Sequence, residues 1–130
     1  MIRILIADDH DAVRKGVRSV LLSQQDIDVC GEASDGSEAI DKALELKPDL
    51  IILDITMPVI GGFPAALQLR RLLPDTPILF YSMHEGQHVI REAKQIGVRG
   101  FVGKSHISQA LLEAVDALVV RKATFFPSET

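Results

Sequence analysis

The sequence lacks several features that would place it outside the small globular domains. It has one cysteine, Cys30, in 130 residues, so an internal disulfide bond is excluded and a reducing compartment such as the cytoplasm is expected. The apolar opening at 2–7 runs into Asp8 and Asp9, too early for a signal peptide. No apolar run approaches the roughly 18 residues of a membrane span, so no membrane partner is expected.

Basic residues are also in the minority. Lysine and arginine number 14 against 18 acidic residues, for a net charge of -4, which argues against a nucleic-acid surface on this chain. The hydrophobic fraction of 47% is enough for a real core, and the length is that of one ordinary domain.

Short apolar stretches alternate with stretches of helical periodicity. Strands are predicted at 2–7, 27–31, 50–53, 77–81 and 100–103, and each is followed by apolar residues at helical spacing. Five such units predict an α/β fold, a parallel sheet with helices on both faces. The strand order stays open from pattern alone, although the order 2-1-3-4-5 would put the polar second strand at an edge.

Local signals suggest where several helices begin and end. Asp35 and Glu38 resemble a capping box at the start of the second helix. Pro64 suits the first position of the third helix, and Gly97 suits the cap that ends the fourth. Leu67, Leu72 and Leu73 are predicted to continue the third helix to Pro74.

Reactive side chains stand where the predicted strands end. They are Asp8 and Asp9 after the first strand, Asp54 after the third, Ser82 after the fourth and Lys104 after the fifth. Ligands in open parallel sheets bind at the carboxyl ends of the strands. Two like charges ~4 Å apart repel by roughly 4 kcal/mol at an effective dielectric near 20. A cation is therefore expected among the carboxylates, and Mg²⁺ suits oxygen ligands and phosphate best.

This set of groups suits phosphoryl transfer, which requires positioning and neutralisation of charge on phosphoryl oxygens. Asp54 would be the nucleophile, Lys104 would supply positive charge and Ser82 a hydroxyl donor. Each also has an ordinary interpretation: the aspartates could cap turns or the first helix, and Ser82 and Lys104 could be solvated. The presence of all these groups at one end of the sheet favours a phosphoryl-transfer site over the ordinary interpretations.

The motifs resemble the response-regulator receiver domains of two-component signalling. The matching stretches are 6–10 with its acidic pair, 53–58 with Gly62, Ser82 after the fourth strand, and 101–104. The resemblance covers nearly the whole chain. It implies a flavodoxin-like, CheY-like doubly wound sheet of order 2-1-3-4-5 with five helices. It also implies a receiver domain over 1–121 and the start of an interdomain linker or tail at 122–130.

The resemblance implies a role for each acidic residue. Asp54 would be the phosphoacceptor for a sensor histidine kinase. Asp9 would bind Mg²⁺ directly and Asp8 through water, with Asp54 and the backbone carbonyl of Thr56 as further ligands. No separate substrate is expected, so the chain is not predicted to be an enzyme beyond its own phosphorylation and dephosphorylation.

A conformational switch is also implied. Lys104 and Ser82 would grip the phosphoryl oxygens, and the space that Ser82 vacates would be filled by Phe101. The expected output is homodimerisation on phosphorylation. Candidate surface positions for the dimer are His84, His88, Val119 and Val120.

Stretches 7–10, 104–105 and 122–127 resemble receivers that precede a LuxR-type helix-turn-helix. DNA would then be bound only through a C-terminal domain absent from this chain, and an excised receiver is favoured over one that works alone. Phe101 stands where tyrosine is common, and Gly61 where a polar residue is common. Ser105 replaces a frequent cis proline, so the Lys104–Ser105 peptide is predicted to be trans, because a non-proline cis bond costs roughly 3 kcal/mol.

Three other functions are weighed against this one. A flavin-binding electron carrier would share the fold, but Asp8 and Asp9 would repel its phosphate. A haloacid-dehalogenase-like phosphatase needs a spacer between two aspartates that the pair Asp8–Asp9 lacks. The alternative within the family is a receiver-shaped interaction domain that acts without phosphorylation.

Overall fold

The computed structural model describes residues 1–83 and 86–127. Its sheet has five parallel strands in the order β2-β1-β3-β4-β5, which confirms the predicted fold and edge position of the second strand. The strands are β1 (Ile2–Ala7), β2 (Ile27–Ala33), β3 (Leu50–Asp54), β4 (Ile78–Ser82) and β5 (Gly100–Gly103). The helices are α1 (Asp11–Leu22), α2 (Gly36–Leu46), α3 (Gly62–Leu72), α4 (Gln87–Gln95) and α5 (Ile107–Val115).

The helices sandwich the sheet and divide the core in two. Every residue of β3 is buried, because this strand pairs with β1 on one side and β4 on the other. Leu5, Ile51 and Phe80 face one apolar cluster, while Ile6, Ile52 and Tyr81 face the other. Because successive side chains of a strand point to opposite faces of the sheet, each strand contributes residues to both clusters. None of the helices in the described residues has the length and apolar character that crossing a membrane requires.

The start of α2 confirms the capping prediction in modified form. The Asp35 carboxylate accepts a hydrogen bond from the Glu38 main-chain N–H at 2.8 Å. The Glu38 carboxylate accepts from the N–H of Ser34 rather than that of Asp35, so the reciprocal bond reaches one residue further back. Lys47, in the left-handed region with φ 47°, ends the helix.

The third helix differs from its prediction. It begins at Gly62, so Pro64 is its third residue, still in the first turn, where a missing N–H costs no helical hydrogen bond. The prediction that the leucines continue this helix is confirmed as far as Leu72, although Leu67 and Leu72 are 53% and 42% exposed. The buried residues are instead Gly62, Ala65, Ala66 and Leu69. Small side chains on this face allow α3 to pack closely against β3 and α2.

The strand pairing at the two edges of the sheet departs from a simple ladder. β2 extends to Ala33, and its pairing with β1 shifts register so that Cys30 has no partner in β1. At the other edge, Phe125 in the predicted linker pairs beside β5. Its N–H donates to the Arg99 carbonyl at 3.0 Å, and its carbonyl accepts from Phe101 N–H at 2.8 Å. The described residues contain no cis peptide bond, so the Lys104–Ser105 peptide is trans as predicted.

Candidate functional site

The acidic residues predicted to converge do lie together. Asp8 follows β1 directly and Asp54 ends β3, and these two strands are neighbours. One ligand atom from each of Asp8, Asp9, His10 and Asp54 lies within 4.8 Å of the others. Asp8 and Asp54 are buried, whereas the Asp9 side chain is 33% exposed. The group is therefore reached from solvent on the Asp9 side.

Lys104 and Ser82 complete the predicted constellation. Lys104 Nζ lies 3.2 Å from Asp8 Oδ2 and 3.2 Å from Asp54 Oδ2, so one ammonium group is shared by two buried carboxylates. Ser82, at the end of β4, is also buried. A cavity of about 170 Å³ beside Asp54 is lined by His10, Asp54, Thr56, Ser82, Met83 and Lys104.

The charged form of the Asp54 carboxyl group is less favoured than that of Asp8. Burial, and next the negative charge of Asp8, raise the pKa of Asp54 from 3.8 to about 6, although Lys104 acts in the opposite direction. Apart from the Lys104 ammonium, no group among the described residues donates a hydrogen bond to Asp54 Oδ2. The N–H of Thr56 donates to the other oxygen, Oδ1, over a long 3.4 Å. The charged carboxylate of Asp54 is therefore buried with few hydrogen bonds to stabilise it.

Asp8, by contrast, is surrounded by donors. Burial acts to raise its pKa, but hydrogen bonds from Tyr81 and the main-chain N–H of His10, with the charge of Lys104, lower it overall. The Tyr81 hydroxyl donates to Asp8 Oδ2 at 2.6 Å, and His10 N–H donates to Oδ1 at 2.9 Å. Burial and the same carboxylate raise the pKa of Tyr81, which keeps it a neutral donor.

Sequence reasoning missed two members of this group. Tyr81 was predicted only as the end of the fourth strand, and His10 only as part of the acidic stretch 6–10. The only signal in the sequence was adjacency, since Tyr81 precedes Ser82 and His10 follows the acidic pair. The imidazole Nδ1 of His10 lies 3.2 Å from Asp8 Oδ1 and 3.2 Å from Asp9 Oδ1.

The residues present fit a hard divalent cation. Carboxylate oxygens from three residues lie within 4.8 Å of one another, and apart from the Lys104 ammonium no described group donates to the buried Oδ2 of Asp54. Oxygen ligands of this kind suit Mg²⁺. Thr56 lines the adjoining cavity, and the role of its carbonyl as a ligand stays a prediction.

The predicted switch and dimer residues are found in different environments. Phe101 is buried against the cluster that contains Phe80, and its role as a switch stays a prediction. His88 and Val120 are exposed, while Val119 packs partly into the core. His84 lies outside the described residues.

Comparison with known proteins agrees with this geometry. The sequence profile of the "Response regulator receiver domain" matches residues 4–116. The response regulator protein VraR of Staphylococcus saprophyticus is 37% identical over 114 residues, 88% of this chain and 54% of that protein. The transcriptional regulatory protein LnrK of Bacillus subtilis is 36% identical over 88% of this chain and 52% of that protein. The chain thus spans about half the length of these relatives.

Solved structures give the same assignment. A LuxR-family two-component response regulator from Aurantimonas sp. SI85-9A1 superposes with a TM-score of 0.90 at 32% identity, over 95% of this chain and 87% of that one. The non-phosphorylated receiver domain of the stress response regulator RcsB from Escherichia coli superposes with a TM-score of 0.91 at 25% identity, over 98% of both chains. The chain belongs to the response-regulator receiver domains of two-component systems, in the LuxR-type subfamily.

Proposed function

We propose that this receiver accepts a phosphoryl group from a sensor histidine kinase onto Asp54, with Mg²⁺ bound beside it. The observation that carries the proposal is the environment of Asp54 Oδ2. This oxygen is buried and lies 3.2 Å from the ammonium of Lys104, and no other group among the described residues donates to it. An oxygen in this environment keeps its lone pairs available for attack on phosphorus.

The side chains of Asp8, Asp9 and Asp54 would hold the metal ion, with the Thr56 carbonyl as a further predicted ligand. When bound, Mg²⁺ supplies positive charge that neutralises the carboxylates and the phosphoryl oxygens. Lys104 adds positive charge from the other flank, because its ammonium already lies against Asp54.

In the transfer step, a carboxylate oxygen of Asp54 forms a bond to phosphorus. The bond from phosphorus to the kinase histidine breaks, and its electron pair stays on the imidazole nitrogen, which then takes up a proton. Lys104 and the Ser82 hydroxyl hold the transferred oxygens. Hydrolysis of the aspartyl phosphate returns the free carboxylate, so the chain acts on itself and turns over no separate substrate.

The output we propose is a population shift between two packings. Ser82 would move toward the phosphoryl group, Phe101 would fill the vacated space, and a homodimer would be favoured. Transcription would be controlled through a C-terminal DNA-binding domain, as the names of the relatives suggest. Such a regulator would work in the cytoplasm.

The test is direct labelling. We expect wild-type protein incubated with Mg²⁺ and acetyl phosphate to gain the mass of one phosphoryl group. Asp54→Asn should gain none, and Asp41→Asn, at an exposed carboxylate on α2, should label as wild type does. Size-exclusion chromatography of the labelled sample would then report dimerisation.

Two outcomes would contradict the proposal. An unlabelled wild type would favour the phosphorylation-independent alternative. Equal labelling of Asp54→Asn would place the acceptor elsewhere.

A further inference from the structure

Tyr81 contacts two members of the site at once, although it lies in the core of the sheet. Its side chain is fully buried, and its hydroxyl donates to Asp8 Oδ2 at 2.6 Å. The ammonium of Lys104 lies 4.9 Å from the centroid of its ring. One residue therefore supports both a carboxylate and the cation of the site.

The position of Tyr81 is fixed by the fold. Tyr81 is the register partner of Asp54 in the pairing of β3 with β4, and its ring packs in the cluster that contains Ile6 and Ile52. A side chain locked in this way can hold its partners in place at little entropic cost. Its contacts with Asp8 and Lys104 follow from the strand pairing.

Asp8 Oδ2 is shared between two donors, the Tyr81 hydroxyl and Lys104 Nζ. Without the hydroxyl, this buried oxygen would depend on Lys104 alone. A buried carboxylate that loses a donor draws its remaining cation closer. Lys104 would then move toward Asp8 and away from Asp54, the acceptor.

We propose that Tyr81 is a positioning residue: its hydroxyl anchors Asp8 and its ring supports Lys104, so that the ammonium group stays within reach of Asp54. The inference rests on the proposed phosphoryl transfer and adds a residue to that site. Tyr81 would act only through Asp8 and Lys104, without contact with the transferred group.

The experiment compares rates of phosphorylation by acetyl phosphate in saturating Mg²⁺, followed by intact mass. Tyr81→Phe removes only the hydroxyl and is expected to slow labelling about tenfold, the effect of one charge-assisted hydrogen bond. Ile52→Val, a small change in the same core cluster, should label at the wild-type rate.

The variants are combined in a double-mutant cycle with Lys104→Met. If Tyr81 acts through Lys104, adding Tyr81→Phe to Lys104→Met changes the rate no further. An equal fold-loss in both backgrounds would overturn the inference, because a general loosening of the core would act in either one. An unchanged rate for Tyr81→Phe alone would also overturn it.

A spectroscopic readout does not depend on phosphorylation. Tyr81 is the only tyrosine, and the sequence contains no tryptophan, so ultraviolet emission reports this ring. Hydrogen bonding of a phenol to a carboxylate quenches its emission, so Asp8→Asn should raise emission and Ile52→Val should leave it unchanged. Equal emission from wild type and Asp8→Asn would overturn the contact, even if Tyr81→Phe failed to fold.

The two proposals fail in different ways. Labelled wild type with an unaffected Tyr81→Phe would remove the role of Tyr81 and leave the phosphoacceptor function in place. Wild type that takes no label would overturn both.

Discussion

Asp54→Asn is expected to make the metal-free protein more stable, even though it removes the proposed phosphoacceptor. In the folded state the pKa of Asp54 rises from 3.8 to about 6, chiefly by burial and then by the charge of Asp8. The difference of about 2 in pKa corresponds to roughly 3 kcal/mol at neutral pH. Asparagine keeps the shape of the carboxyl group and removes its charge, so it should recover a large part of that free energy of unfolding.

The dependence on pH follows from the direction of the shift. Because the folded-state pKa lies above the unfolded-state value, the charged carboxylate penalises the folded wild type at high pH. The contribution of Asp54 to the free energy of unfolding is fully present below the unfolded-state pKa and is lost as the pH rises through about 6. The advantage of Asp54→Asn should therefore be largest above pH ~7 and shrink toward pH ~4.

The assay is urea unfolding followed by circular dichroism, in EDTA, at several pH values. Asp41→Asn serves as the control, because its carboxylate is exposed on α2, and it should change stability little at any pH. Mg²⁺ should then stabilise the wild type by binding the folded state and should stabilise Asp54→Asn less. An Asp54→Asn variant no more stable than wild type in EDTA at pH 8 would refute the reasoning.

Three further substitutions and one thiol reaction test other parts of the structure. Gly62→Ala should lower the free energy of unfolding by about 1–3 kcal/mol in urea melts, since a Cβ would lie 2.4 Å from the Asp54 carbonyl oxygen. Gly16→Ala in α1, where a Cβ meets nothing within 4 Å, should instead stabilise by up to about 1 kcal/mol; a loss at both sites would contradict this account. Burial raises the pKa of Cys30, so at pH 8 its thiol should react with DTNB more slowly than glutathione does, and urea should abolish the difference. Phe126→Ala should cost about 1–2 kcal/mol, because the ring packs on the core and lies 5.0 Å from Lys94 Nζ; an unchanged melt would show that this ring adds no stability.

Much of the fold was accessible from local pattern. Apolar runs and helical spacing located the strands and helices, because burial of one face requires a fixed period. The leucines that marked α3 did not show which side of the helix meets the sheet, because Leu67 and Leu72 are exposed. Ala65 and Ala66 are buried there instead, since close packing of a helix on a sheet rewards small side chains as much as large ones.

The sequence by itself determined which reactive groups end the strands, and with the parallel order this was enough to bring Asp8, Asp54 and Lys104 together. Only the tertiary structure decided how charge is divided among them. It placed the Tyr81 hydroxyl on Asp8 and left Asp54 Oδ2 with no donor among the described residues besides the Lys104 ammonium. Those contacts join residues far apart in the chain. They depend on strand register and burial to within an ångström, and a pattern of residue types does not carry that information.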